Sequence, residues 1–151
     1  MNRSIAYWVE KLLGYICGLV FMILSYINSE VFSFIRDIAF LDKVISISST
    51  LFGFLLAILT LILQGNSPTV SAMKRHGSYN RLINFNKSTV ISALITCTLS
   101  LLLSFCSSVI NLISPEMLNF VASLNLGIFA YIIINTLLFT LIFYKIVIAD
   151  Q

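Results

Sequence analysis

Long apolar runs alternate with short polar ones along this chain. Residues 12–27, 44–64, 88–113 and 117–144 contain no Asp, Glu, Lys, Arg or His. A helix crossing the ~30 Å hydrocarbon core of a bilayer needs about 20 mostly apolar residues, and each run matches or approaches that length. In lipid every backbone N–H and C=O must be satisfied within the protein, so such runs read as helices. None shows the strict two-residue alternation of a membrane barrel strand. The pattern predicts an all-α polytopic protein: four transmembrane helices, at about 8–28, 44–64, 88–113 and 117–146, in a single domain over 1–151.

The polar segments carry signals of their own. In 28–43, Val31, Phe32, Phe34, Ile35, Ile38, Phe40 and Leu41 are interleaved with charges. Three readings fit: an amphipathic helix on the outer leaflet, a continuation of the first span, or a cap packed over the bundle. In 65–87, Ser67 suits an N-cap, Pro68 a first helical turn and Gly77 a C-terminal stop. A short helix between them would place its basic residues in the last turn, where the helix dipole favours them. A second amphipathic piece, Tyr79 to Phe85, then leads into the third span, and Ser114-Pro115-Glu116 repeats the start signal before the fourth.

Composition agrees. Hydrophobic residues make up 59% of the 151 positions and charged residues 10%, against about 25% charged in a soluble domain. Lipid is therefore the expected solvent. The loops leave no room for a separate soluble catalytic or ligand-binding domain. No small-x-small cleavage pattern follows the first run, so it is expected to stay as an anchor. Cys17, Cys97 and Cys106 all fall within apolar runs; an odd number in that setting reads as packing rather than as a disulfide framework.

Charge sets the expected orientation. The 65–87 segment holds Lys74, Arg75, His76, Arg81 and Lys87 with no acid, whereas 28–43 has three acids (Glu30, Asp37, Asp42) against two bases (Arg36, Lys43). Basic residues of short loops stay cytoplasmic. The expected topology is therefore N-in and C-in, with the short basic helix on the cytoplasmic side between spans 2 and 3. Tyr7, Trp8 and Tyr144 would then lie at the interface.

With no charge inside the spans, small and weakly polar residues carry the remaining information. The first span contains Gly14-x-x-x-Gly18. Ser46, Ser49, Gly53, Ala57 and Thr60 lie along one side of the second. The third carries a ladder of Ser88, Ser92, Thr96, Ser100, Ser104 and Ser108, and the fourth has Ser123, Gly127 and Ala130 with Asn125 and Asn135. Small residues at four-residue spacing let helix backbones approach, and their hydroxyls bond across helices. The competing reading is a face that lines a water-filled path and solvates a passing ion weakly. The pore or packing candidates are Ser49, Gly53, Ala57, Ser92, Thr96, Ser100, Asn125 and Asn135. Because a four-residue ladder drifts about 40° per step on a 3.6-residue helix, a straight pore lining along the whole third span is not expected.

Little chemistry remains for an enzyme. The spans hold no carboxylate for acid–base work or proton coupling, and no glycine-rich nucleotide loop is present. The one histidine, His76, sits beside Lys74 and Arg75, which suits lipid headgroups better than catalysis or a metal. No catalytic, cofactor or metal site is expected. The basic loop reads as contact with anionic lipid or as a dock for a cytoplasmic protein; its few cations without a recognisable fold do not point to nucleic acid.

The run Ser48-Ser49-Thr50-Leu51-Phe52-Gly53-Phe54-Leu55-Leu56-Ala57-Ile58-Leu59-Thr60-Leu61-Ile62 is followed by Ser71-Ala72-Met73-Lys74-Arg75-His76-Gly77-Ser78-Tyr79 and a long third span. This order resembles small four-span membrane proteins of bacterial phage defence, the RexB-type exclusion family, over about residues 45–148. In plan the chain is also similar to the membrane subunits of Kiwa defence systems. It departs from the RexB type in a more hydrophobic N-terminal region and a less basic internal helix. The resemblance implies an inner-membrane, homo-oligomeric component of abortive infection that conducts ions or perturbs the membrane when triggered. Two alternatives stay open: a non-conducting sensor or anchor that binds a cytoplasmic defence partner through 65–87, and a bacteriocin immunity protein.

Overall fold

The computed structural model describes the backbone of residues 3–64, 78–108 and 114–149. Four long helices carry the chain: α1 (Arg3–Ile27), α2 (Ile38–Gln64), α3 (Ser78–Ser108) and α4 (Pro115–Ala149), with a short 3-10 turn, Ser33–Arg36, between α1 and α2. The protein is all-α. Three segments, Ile38–Thr60, Leu82–Cys106 and Pro115–Tyr144, are long and apolar enough to cross a membrane, and α1 contributes a shorter apolar stretch, Leu12–Ile27. This is the build of a membrane protein.

Local chemistry explains the ends. The α1 helix runs out at Asn28, whose amide N–H and side-chain Nδ2 both donate to the Leu24 carbonyl, at 3.0 and 3.2 Å. Asp37 is extended (φ −70°, ψ 134°), and its carbonyl accepts from the amides of Phe40 and Leu41, both at 3.0 Å. Asp is a favoured residue at such an N-cap, so α2 starts at Ile38. At the fourth helix the predicted start signal is realised. The Ser114 hydroxyl accepts from the Met117 amide at 3.4 Å, its carbonyl accepts from Leu118 at 3.1 Å, and Pro115 occupies the first helical position, where a missing N–H costs nothing.

Several boundaries differ from the sequence reading: α1 begins at Arg3 rather than near 8, α4 runs from Pro115 to Ala149, and α2 and α3 start earlier. The second span begins six residues earlier than 44, so Asp42 and Lys43 lie inside α2 rather than in a loop. A helix end exposed to water tolerates charges, and both Asp42 and Lys43 are exposed. Likewise the amphipathic Tyr79–Phe85 piece and the third span form one continuous helix from Ser78, with Lys87 within it. The short helix expected over Ser67–His76 lies outside the described residues.

Neighbouring helices run antiparallel. Gly14 faces Asn135 and Gly18 faces Gly127 between α1 and α4; Cys97 of α3 donates to the Ile45 carbonyl of α2 at 3.8 Å; Ser88 meets Tyr131, and Ser100 meets Asn125, between α3 and α4. Packing runs in the order α1, α4, α3, α2. The α4 helix is flanked by α1 and α3, and α1 leans chiefly on α4. The α1 helix is accordingly exposed along most of its length, from Leu12 and Leu13 to Tyr26 and Ile27. The 28–43 segment caps the bundle at one end. Ile35 and Leu41, each 1% exposed, pack with Leu103 and Ala122, and Phe34 meets Phe40 edge-on at 5.2 Å.

Candidate functional site: a layered polar interior and a lateral cleft

In α3 the buried positions are Leu82, Asn86, Thr89, Ala93, Thr96, Ser100 and Leu103, with Val90 beside them. Their spacing alternates four and three, the repeat of a helix that keeps one seam against its neighbours. The hydroxyl ladder crosses this seam rather than following it. Thr96 and Ser100 lie in it at 0% exposure, whereas Ser88 and Ser92 stand half-buried to one side. On α2 the buried positions are Leu41, Val44, Ser48 and Leu55.

The apolar clusters give the register of this three-helix core. One contains Leu41, Leu103 and Ala122 with Ile35. Another joins Leu51 to Ala93 and Ile132. Between the two, each helix advances ten residues (41 to 51, 103 to 93, 122 to 132), about 15 Å. Midway fall Ser48 on α2, Thr96 and Ser100 on α3, and Asn125 on α4, each at most 2% exposed. A polar layer is thus held between two apolar ones, and a side-chain bond across it runs from Asn125 Nδ2 to Ser100 Oγ at 2.9 Å. The Ser48 and Thr96 hydroxyls and the Asn125 carbonyl oxygen find no hydrogen-bond partner among the described residues. A second polar level lies farther along, where Asn86 Nδ2 donates to the Leu55 carbonyl at 3.0 Å, beside the Leu55, Leu82, Val90 and Phe139 cluster. The Thr89 hydroxyl is satisfied within its own helix by the Phe85 carbonyl at 3.0 Å.

The other side of α4 meets α1. A Cβ on Gly18 would stand 2.9 Å from the Gly127 carbonyl oxygen, and one on Gly127 would stand 2.8 Å from that of Gly18. Only paired glycines permit such an approach, and packing of this kind, rather than hydrophobicity, joins helices in lipid. The G-x-x-x-G pattern of the sequence is therefore a contact with α4, with Asn135 (1% exposed) packed against Gly14. Above it Tyr15 and Tyr131 lie with ring centroids 4.9 Å apart.

Because α4 stands between α1 and α3, a cleft of about 250 Å³ opens along it. Tyr15, Leu19 and Met22 form one wall, Ser88, Ser92 and Ile95 the other, and Leu124, Ile128 and Tyr131 the floor. At one end the Ser88 and Tyr131 hydroxyls are 3.0 Å apart.

The sequence candidates thus separate. Thr96, Ser100, Asn125 and Asn135 are buried and face neighbouring helices, and Ser92 lines the cleft. Ser49, Gly53 and Ala57 are exposed together with Ser46 and Thr60, so this face is left open by the described residues. The space in front of Gly53 is open to 4 Å. The Ser49 and Thr60 hydroxyls turn back to the Ser46 and Leu56 carbonyls, at 3.0 and 2.9 Å. Of the basic group, Lys87 is exposed on α3. Lys74, Arg75 and His76 lie outside the described residues, and Arg81 is described only as part of the α3 backbone. Sequence reasoning missed Ser48, Asn86 and Thr89. Reading α3 at alternating four- and three-residue spacing, with polar and apolar positions taken together, finds the latter two. The three cysteines are free and half-buried, and among the described residues no three His, Cys, Asp or Glu side chains come together. No family model matches the chain, nor does any curated protein or solved structure.

Proposed function

We propose that the protein is a four-span subunit of a homo-oligomeric assembly in the bacterial inner membrane. In this reading it is a component of phage defence that conducts ions or perturbs the membrane when triggered, with no catalytic activity of its own. The start of α1, the end of α2, the start of α3 and the end of α4 lie at one end of the antiparallel bundle, and Glu30, Asp37, Asp42 and Glu116 at the other. Basic residues favour the cytoplasmic side, so the reading is N-in and C-in.

The observation that carries the oligomeric part is the outward small-residue face of α2: Ser46, Ser49, Gly53, Ala57 and Thr60. Inside a single chain Thr96, Ser100, Asn125 and Asn135 are closed against neighbouring helices, and Ser88 and Ser92 line only a lateral cleft. A conducting path would therefore lie between chains. Small side chains on an exposed face suit close contact with another helix, and their hydroxyls suit the wall of a wet path. The defence assignment rests on the resemblance of 45–148 to the exclusion proteins.

The test combines cross-linking with ion flux. Gly53→Cys and Ala57→Cys, in a background with Cys17, Cys97 and Cys106 replaced, should form disulfide dimers in membranes. Gly53→Leu should abolish both the oligomer and ion flux in proteoliposomes. Dimers without flux under phage challenge would leave the sensor or anchor reading, and monomers throughout would remove the assembly itself.

A further inference from the structure

We propose that the cleft between α1, α3 and α4 is a binding site for one anionic phospholipid. Its phosphate would sit on Lys87, an ester carbonyl on the Ser88–Tyr131 hydroxyl pair, and an acyl chain in the groove beyond. This goes beyond the proposed assembly and does not depend on it.

Three observations converge. The first is size. A cleft of about 250 Å³ falls below the ~300 Å³ at which pockets for drug-sized ligands begin, and a helix about 10 Å across does not enter it. A single alkyl chain does. The walls beyond the hydroxyls suit one, being formed by Leu19, Met22, Ile95, Leu124 and Ile128.

The second is the hydroxyl pair. Ser88 and Tyr131 hydrogen-bond each other at 3.0 Å. Where Ser88 donates, the Tyr131 hydroxyl faces Tyr15 and Asn135; where Tyr131 donates, the Ser88 proton remains to be given away. A carbonyl acceptor entering from the lipid side meets it.

The third is charge and depth. Lys87 immediately precedes Ser88 and is exposed, about a quarter-turn around α3 from the cleft wall: Ile95 lies about 80° and Ser88 about 100° around the helix from it. Lys87 is the one charged residue in the membrane-crossing stretch of α3, Leu82–Cys106. It lies near the start of that stretch, where a lysine extends its head to the headgroup level while its stem stays along apolar surface; the cleft runs inward from it. Glu30, Asp37, Asp42 and Glu116 all lie at the opposite end. Headgroup, glycerol and chain of a phospholipid follow one another in the same order as cation, hydroxyl pair and groove.

Native mass spectrometry of the full chain from mixed micelles tests this with phosphatidylglycerol and phosphatidylcholine as probes. One phosphatidylglycerol per chain should be retained in preference to phosphatidylcholine. Lys87→Ala should weaken its retention about fivefold, the share of one lysine near a membrane surface. Lys87→Arg should restore it, and Lys43→Ala, at the other end, should leave it unchanged. Ser92→Phe should fill the groove and reduce retention further. Equal retention of the two lipids, or Lys87→Ala without effect, would overturn the proposal. So would a Ser92→Cys variant that cross-links to itself in place of carrying lipid, since a second copy would then occupy the cleft.

Discussion

Two glycines on this surface behave in opposite ways, and the difference lies in what stands in front of each. Gly127 is pressed on the Gly18 carbonyl and on Met22, whose Cβ would be 2.9 Å from a new methyl group. Gly127→Ala must push α1 away, and overpacking of this kind costs about 1–3 kcal/mol; equilibrium unfolding in mixed micelles should record that loss. Gly53→Ala meets open space and gains helix propensity worth up to ~1 kcal/mol, so the same measurement on the monomer should show no loss. The buried amide gives a third case. Ser100→Ala removes the acceptor of Asn125 Nδ2 and leaves it unpaired in a buried layer. A double-mutant cycle of Ser100→Ala with Asn125→Ala should return a coupling near ~0.6 kcal/mol, the usual worth of an interhelical hydrogen bond in membranes. A coupling of zero would mean that the layer is held by shape alone.

The elements differ in how firmly the bundle holds them. The α2, α3 and α4 helices share the layered core, whereas α1 rests chiefly on α4 through a strip of glycine and tyrosine contacts. Amide exchange of the protein in nanodiscs should therefore open α1 before α3, with Gly127→Ala widening the gap; equal protection of the two would contradict the arrangement. At this scale the sequence was most legible where chemistry is local. Charge-free runs located the helices, Ser114-Pro115 marked the start of α4, and Gly14-x-x-x-Gly18 announced a close contact. It was least legible where a choice depends on neighbours. The side of α2 that looked suited to packing, Ser49 to Thr60, turned outward because Leu41, Val44 and Leu55 fill the space toward α3. The α3 ladder was read from residue type alone, yet the seam is fixed by what α2 and α4 present, so apolar Ala93 belongs to it and Ser92 does not. Lys87 was assigned to a loop because a charge ended the apolar run, although nothing in Ser78–Lys87 breaks a helix.

For the whole molecule, the arrangement biases charge along the bundle axis. Glu30, Asp37, Asp42 and Glu116 outnumber Arg36 and Lys43 where the 28–43 cap closes over Leu103 and Ala122, and Lys87 stands at the other end. Alkaline phosphatase fused after Asn28 should be active in the periplasm, and fusions after Gly65 and at the C terminus should not. The reverse pattern would invert the proposed orientation.

The glycine contact also has a consequence in time. The α1 helix ends at Ile27, and its main partner does not begin until Pro115. At ~5–20 residues per second, the ribosome takes roughly 4–18 s to deliver α4 after α1 has been made. For that interval α1 waits in the bilayer with the glycine face of Gly14 and Gly18 uncovered. In a crowded membrane the first α4 to arrive need not come from the same polypeptide. Exchange of α1 between neighbouring chains, each closing on the other's Gly127, is the assembly route that this order of synthesis leaves open.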